Sequence, residues 1–295
     1  MRCACIDIGS NTTRLLVGEL QAGALVPVVN RRAFTRLGAG REPGEAIGPA
    51  RVREVAEVVG AQARLARAAA AVELCVVATA AVRNAPDREE LCAAVSHAAG
   101  APVTVLSGAQ EAHAAFRGAV ASAADVPAGR VGLADVGGGS CELAWGTALG
   151  GVEGTISVPV GSAVLTHRHV RGDPPSPAEL SAVRAGAREA FASVAPDPPV
   201  LTGALAVGGS ATSLGRLVGP RLTRDTLGEA IGTVVAAPAE QVAARFDLNA
   251  RRARLLPAAL ILLQESVQAL GHPLDVVPGG LREGLLIDLL SRVRG

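Results

Sequence analysis

A strand-like run that ends in an aspartate and a glycine turn, followed at once by a second strand, is written twice in this chain. The first copy, CACIDIGSNTTRLLVGEL, centres on Asp7, Gly9, Ser10, Asn11, Thr12 and Arg14. The second, VGLADVGGGSCELAWG, centres on Asp135, Gly137, Gly138, Gly139, Ser140 and Glu142. Halves that each open on such a hairpin and continue with mixed strands and helices predict an α/β fold with internal duplication. The turns also carry chemistry. Successive backbone N–H groups form an anion cradle, and the aspartate at the strand end can hold a divalent cation or its waters. Two cradles of this kind imply a phosphate chain gripped between two similar domains.

The pattern along the chain supports this division. Residues 2–9 read as a strand, 13–20 as its antiparallel partner and 24–36 as further extended chain. Val52, Val55, Val58 and Val59 fall at helical spacing within Pro49–Ala71. A strand over Glu73–Ala78, a helix near Asp87–Ala99 and a short strand Val103–Leu106 lead to Ser107. Ser107 and Gln110 make a capping-box pattern at the head of a helix running to about Val120. Ala124–Arg130 reads as a linker, and strands continue through Val160, with His167 and His169 projecting alike as an ordinary surface pair. DPPSP at 173–177 precedes a helix that PDPP at 196–199 closes. A strand at 204–207 runs into a third glycine turn, Gly208, Gly209 and Ser210. Helices fill most of 225–270, and LREGLLIDLL forms a terminal helix. The expected domains are 1–122 and 123–295, with the final helix, about 282–293, free to pack back on the first.

Composition narrows the chemistry. Aromatic residues make up 2% of the chain, with no Tyr, so the cores are built from Ala, Val and Leu and base stacking is a poor binding strategy. All 28 basic residues are Arg, which excludes chemistry that needs a phosphate-contacting Lys. A net charge of +1 supplies no global field for a polyanion such as nucleic acid, so anion binding falls to local Arg groups and backbone dipoles. The five cysteines show no zinc spacing and read as small buried hydrophobes in a reducing cytosol. No apolar run approaches a membrane span, and a soluble cytoplasmic protein is expected.

Each candidate residue has a plain structural alternative. Asp7 can serve its own turn, whereas three glycines in a row need a reason such as close approach of a ligand. Arg14 suits either a phosphate contact or a surface ion pair, and Arg83, after a strand end and a tight turn, can reach a phosphate. Glu111 in the first turn of its helix is by itself a favourable partner of the helix dipole. Glu142 alternates away from Cys141, Leu143 and Trp145, onto the other face of its strand. Arg282 and Glu283 can pair with each other or cap the final helix.

Six segments in order resemble one family, the exopolyphosphatase and guanosine pentaphosphate phosphatase (Ppx/GppA) family: DIGSNTTRLLV, VATAAVRNAPD, LSGAQEAHAAFRG, DVGGGSCEL, VGGSATSL and GGLREGLL. The resemblance implies two duplicated ribonuclease H-like domains flanking a cleft, as in the actin-like ATPase, sugar kinase and Hsp70 superfamily. It implies Glu111 as general base and Glu142 as a second catalytic acid, with magnesium or another divalent cation at Asp7 and Asp135. Gly9, Ser10, Asn11, Thr12, Arg14, Arg83, Gly137, Gly138, Gly139, Ser140, Gly208, Gly209 and Ser210 would hold phosphate. The implied activity is removal of the terminal phosphate of inorganic polyphosphate, of short chain because the additional C-terminal helical region of longer members does not follow GLREGLL. Guanosine pentaphosphate hydrolysis is the near alternative, and a non-catalytic phosphate- or nucleotide-sensing protein the distant one; a homodimer stays open. Gln110 and Cys141 depart from the family pattern, Gln110 removing one carboxylate beside the base.

Overall fold

The structure is a computed structural model that describes residues 1–194 and 200–294. It divides into two compact units, Met1–Ser122 together with Gly279–Gly295, and Ala123–Pro278. The expected end of a helix at 196–199 lies outside the described residues.

The first unit opens with β1 (Arg2–Ile8), β2 (Thr13–Gln21) and β3 (Ala24–Ala33), an antiparallel meander. Helix α1 (Pro49–Ala68) crosses over to β4 (Ala71–Ala78), which pairs parallel to β1. One-turn helix α2 (Ala80–Arg83), α3 (Arg88–Ala99), β5 (Val103–Val105) and α4 (Gly108–Ser122) follow, and the sheet order is β3-β2-β1-β4-β5. Alternation along β1 explains the two faces. Ala4, Ile6 and Ile8 pack with Val52, Val55 and Val59 of α1 and Leu91 and Val95 of α3. Cys3 and Cys5 point the other way, where they are fully buried.

The second unit repeats the plan. It runs β6 (Arg130–Val136), β7 (Cys141–Thr147), β8 (Gly151–Val158), α5 (Ser162–His169), α6 (Pro177–Ala192) and β9 (Gly203–Val207). Helix α7 (Gly208–Val218), β10 (Arg221–Leu222), α8 (Arg224–Val235), α9 (Ala239–Phe246), α10 (Ala250–Ala253), α11 (Leu256–Leu270) and β11 (Leu274–Val276) complete it. The sheet order β10-β11-β9-β6-β7-β8 matches the first sheet strand for strand, with β10 added at one edge. Most of its residues are apolar, so α11 is buried nearly all round and forms the spine of this core.

Helix α12 (Leu281–Arg294) follows β11 in the chain but belongs to the first unit, the packing back that the sequence left open for it. Leu286 and Leu290, both fully buried, close over Cys3, Cys5, Leu16 and Val77. Two leucines sealed in this way contribute about 1.5–3 kcal/mol each. Two expectations are corrected. His167 and His169 lie on helix α5, not on a strand, and Gly208–Ser210 is the first turn of helix α7 rather than a loop. No described helix is long and apolar enough to cross a membrane.

Candidate functional site

Strands β1, β4 and β5 run parallel, so their carboxyl ends lie along one edge of the first sheet. The segments that leave those ends are the glycine turn at 9–12, the Thr79–Arg83 turn of helix and the start of α4 with Glu111. In the second unit β6, β9 and β11 are likewise parallel, and their ends carry the turn at 137–140, the start of α7 and Pro278–Gly280. Ligands of open α/β sheets bind at such edges. Topology therefore gathers, within each unit, residues that are far apart in sequence.

The two glycine turns are built alike. Gly9 N donates to Thr12 O and Gly137 N to Ser140 O, each at 3.0 Å. A Cβ on Gly137 would stand 2.9 Å from Ser140 O, so only glycine closes this turn without a shift. Neighbouring loops take up the turn carbonyls: Gly38 N donates to Ser10 O (2.8 Å), Arg36 N to Asn11 O (3.1 Å) and Ser162 N to Gly137 O (3.0 Å). With the carbonyls anchored, the amides of residues 10–12 and 138–140 are left without a backbone acceptor among the described residues. That is the donor array an anion requires.

Behind the first turn, Asp7 on β1 stands directly opposite Arg14 on β2, yet the two form no ion pair. Asp7 Oδ1 and Arg14 Nε are both enclosed without a hydrogen-bond partner. Burial pushes the Asp7 carboxyl up from its ordinary value; Arg282 and Arg14 pull it back, and Glu283 pushes it up again. Burial draws Arg14 down to about 10, with Arg282 and Arg32 repelling its charge and Asp7 and Glu283 supporting it. Arg282 enters from α12, is 4% exposed, and donates to Asn30 Oδ1 (3.2 Å) and Leu15 O (3.4 Å). It also pairs with Glu283 at 3.5 Å, as its place in the sequence allowed.

An enclosed carboxylate oxygen without a partner fits a divalent cation. Among the described residues no three His, Cys, Asp or Glu side chains cluster as a protein cage. Magnesium rarely uses one: it is commonly held by one or two carboxylates plus substrate phosphates and waters. Asp7 meets that requirement, and Asp135 occupies the equivalent place in the second unit.

The unpartnered carboxylate predicts a stability effect with a definite sign. Because the folded state holds the Asp7 proton more tightly, the unfolded chain ionises first as pH rises above 3.8, and stability falls through that window until the folded group ionises. Asp7→Asn removes the loss. Its urea midpoint is expected above that of the wild type at pH 7 and equal to it below pH 3.8. A variant less stable than wild type at pH 7 would contradict this.

Glu111 is buried, 6% exposed, in the first turn of α4. The expected capping box is present: Gln110 N donates to Ser107 Oγ (3.2 Å) and Ser107 N to Gln110 Oε1 (2.8 Å). Gln110 thus serves the cap without a second carboxylate. Arg83, at the end of α2, forms a short ion pair with Glu111 Oε1, and the same Nη1 donates to Leu106 O at 2.7 Å. Arg83 holds the glutamate against the end of β5, a contact that sequence spacing does not reveal.

In the second unit, Asp135, Glu142 and Ser157 lie in register across β6, β7 and β8. Glu142 is 4% exposed and accepts from Ser157 Oγ at 3.0 Å. Gly208 has φ +85° and its missing Cβ would overlap Asp135 Oδ1, so glycine there lets β9 turn into α7 against the carboxylate. Ser210 spends its hydroxyl on Val136 O (3.0 Å), so an anion at this segment would meet the backbone amides of the first turn of α7. Arg252 of α10 donates to Gly209 O and to Ser213 Oγ (2.9 Å), placing a guanidinium over the first turn of α7. Arg252, Ser157 and Arg32 stand beside these candidates without having been singled out in the sequence. For Arg32 and Ser157 the signal was strand register with Asp7 and Asp135; for Arg252 none precedes the tertiary contact.

The profile of the Ppx/GppA phosphatase family matches residues 16–293. An uncharacterized protein of Streptomyces coelicolor is 31% identical over 97% of this chain and 90% of its own length. Exopolyphosphatase 1 of Mycobacterium tuberculosis is 29% identical over 99% of this chain and 89% of its own. A guanosine-5'-triphosphate,3'-diphosphate pyrophosphatase of Aeromonas hydrophila is 27% identical over 98% of this chain, which spans 59% of that protein. The crystal structure of the Aquifex aeolicus Ppx/GppA family member superposes with a TM-score of 0.82 at 27% identity, covering 100% of this chain and 99% of the other.

Proposed function

We propose that this chain, which belongs to the Ppx/GppA phosphatase family, is an exopolyphosphatase that hydrolyses the terminal phosphoanhydride of inorganic polyphosphate. The observation that carries this reading is Glu111, a buried carboxylate fixed by Arg83 at the strand edge that also bears the first glycine turn. An anion cradle alone would bind. A carboxylate held beside that edge adds a group able to take a proton from water.

In the reaction, the amides at 10–12 and Arg14 hold phosphate oxygens, and Glu111 accepts the proton of the attacking water. The water oxygen bonds to the terminal phosphorus, the P–O bond to the bridging oxygen breaks, and the shortened chain leaves with that oxygen. Magnesium on Asp7 supplies neutralisation of phosphate charge when bound. Glu142, buried with Ser157 as donor, and Asp135 are assigned to placing water or metal. Phosphate oxygens and backbone amides dominate this set, and the near absence of aromatic rings gives guanine little to stack on.

The deciding assay measures phosphate release from polyphosphate and from guanosine pentaphosphate in parallel, with and without magnesium. Polyphosphate is expected to turn over with the higher kcat/KM. Preference for guanosine pentaphosphate would move the chain to the other activity of the family, and binding of either without turnover would make it a sensor.

A further inference from the structure

Two arginines in the first unit stand side by side with no partner. Asp7 on β1 faces Arg14 on β2, and Arg14 faces Arg32 on β3, so the three share one face of the sheet in a straight row. Adjacent strands are about 4.8 Å apart, which makes the row roughly 10 Å from first to last backbone position. Like charges directly opposite each other on neighbouring strands are destabilising. Neither the Arg14 nor the Arg32 guanidinium has a hydrogen bond or ion pair among the described residues, and Arg14 Nε is enclosed. The buried Arg282 adds a third guanidinium; it acts against the charge of both, second to burial itself. Glu283, the one acid on α12 that acts on Arg14 and Asp7, is already paired to Arg282.

The duplicated unit shows that the fold does not require arginines at these positions. There the same three positions are Asp135, Glu142 and Ser157, and Ser157 satisfies Glu142 with a hydrogen bond of 3.0 Å. In that copy Glu142 has an internal donor, whereas the first row sets two guanidiniums side by side, with the outer one, Arg32, exposed. Two unpaired guanidiniums one strand apart match a ligand whose negative charges repeat along a line, more than a single phosphate.

We propose that Arg32 binds internal phosphates of a polyphosphate chain, extending the path from Arg14 across β3 and setting a preference for longer chains, against the short-chain substrate that the family resemblance implies. This rests on the exopolyphosphatase reading for its substrate. Arg32 touches chain phosphates away from the bond that breaks, so it governs affinity rather than the chemical step.

The test compares tripolyphosphate with chains of several tens of phosphates in Arg32→Gln and Arg32→Lys proteins. With Arg32→Gln, KM for the long chains is expected to rise about tenfold, the loss of one charge-assisted contact. KM for tripolyphosphate and kcat for both should change less than about twofold, and the dependence of long-chain KM on salt should weaken. Arg32→Lys, which keeps the charge and loses the fork, is expected to recover part of the affinity. An equal rise for short and long substrates, or none, would overturn the role of Arg32 while leaving the exopolyphosphatase reading intact. Equilibrium binding of long polyphosphate to Glu111→Gln protein, with and without Arg32→Gln, tests the contact even if wild-type turnover proves to favour another phosphoanhydride; unchanged binding there also overturns it.

Discussion

Glu111→Gln is expected to lower kcat by about a thousandfold, within the range that a positioned general base contributes. The amide is nearly the same size as the carboxylate, and its oxygen can still accept from Arg83, so the Ser107–Gln110 cap and the start of α4 keep their geometry. What it cannot do is take a proton from water. The substitution therefore separates chemistry from binding: polyphosphate affinity, measured at equilibrium, should stay within about threefold while single-turnover phosphate release collapses. Neutralising Glu111 does leave Arg83 without its carboxylate, and part of any stability loss will come from that half-buried guanidinium. A thermal melt of the variant measures this part independently. Retention of more than a tenth of wild-type kcat would remove Glu111 from the role of base.

Much of this arrangement is legible in the sequence because duplication writes the same local problem twice. Asp7 and Arg14 are separated by the same seven positions as Asp135 and Glu142, and in both cases they are in register across the hairpin. The glycine turn fixes that register, so the spacing alone carries the pairing. The capping box at Ser107 is equally readable, since its partners are three residues apart. What fails to show is structure set by distant contacts. Helix α5 is short, and Gly161 at its head is needed because a Cβ there would strike the backbone of Gly138 and Gly139. Helix α7 opens on glycines, which carry no helix propensity of their own, and is set by the Asp135 carboxylate and the Ser210 bond to Val136. The Arg83–Glu111 pair spans 28 positions and two elements.

The two copies of the row across the hairpin also diverge in a way that composition conceals. A net charge of +1 gives no hint that one row is Asp–Arg–Arg and the other Asp–Glu–Ser. A duplicated fold that kept both copies alike would hold two similar anion sites. Here the first copy presents two guanidiniums, and the second a buried acid with its own donor. Division of labour between duplicated units is the physical content of the change from Arg14 to Glu142 at equivalent positions.

Gly284→Ala is expected to destabilise the first unit by about 3 kcal/mol or more, beyond ordinary overpacking, and to release α12. Helices α4 and α12 cross where Gly118 meets Gly280 and Gly284. A Cβ on Gly284 would overlap Ala114 O and come within 2.8 Å of Ala114 C, and one on Gly118 would lie 2.7 Å from Gly284 N. These neighbours are backbone atoms inside helices, so no rotamer change can make room. Loosening α12 withdraws Leu286 and Leu290 from Cys3 and Cys5 and removes Arg282 from its place beside Asp7 and Arg14. Activity and stability should therefore fall together, with proteolysis appearing near Gly279. Gly232→Ala gives the opposite sign under the same measurement. That glycine sits in α8, exposed, with nothing within 4 Å of the added methyl, and the change should stabilise by about 0.5–1 kcal/mol through helix propensity. If Gly284→Ala instead melted with the wild type, the closing glycine of GLREG would have no packing role, and the hold of α12 on the first unit would have to come from its leucines alone.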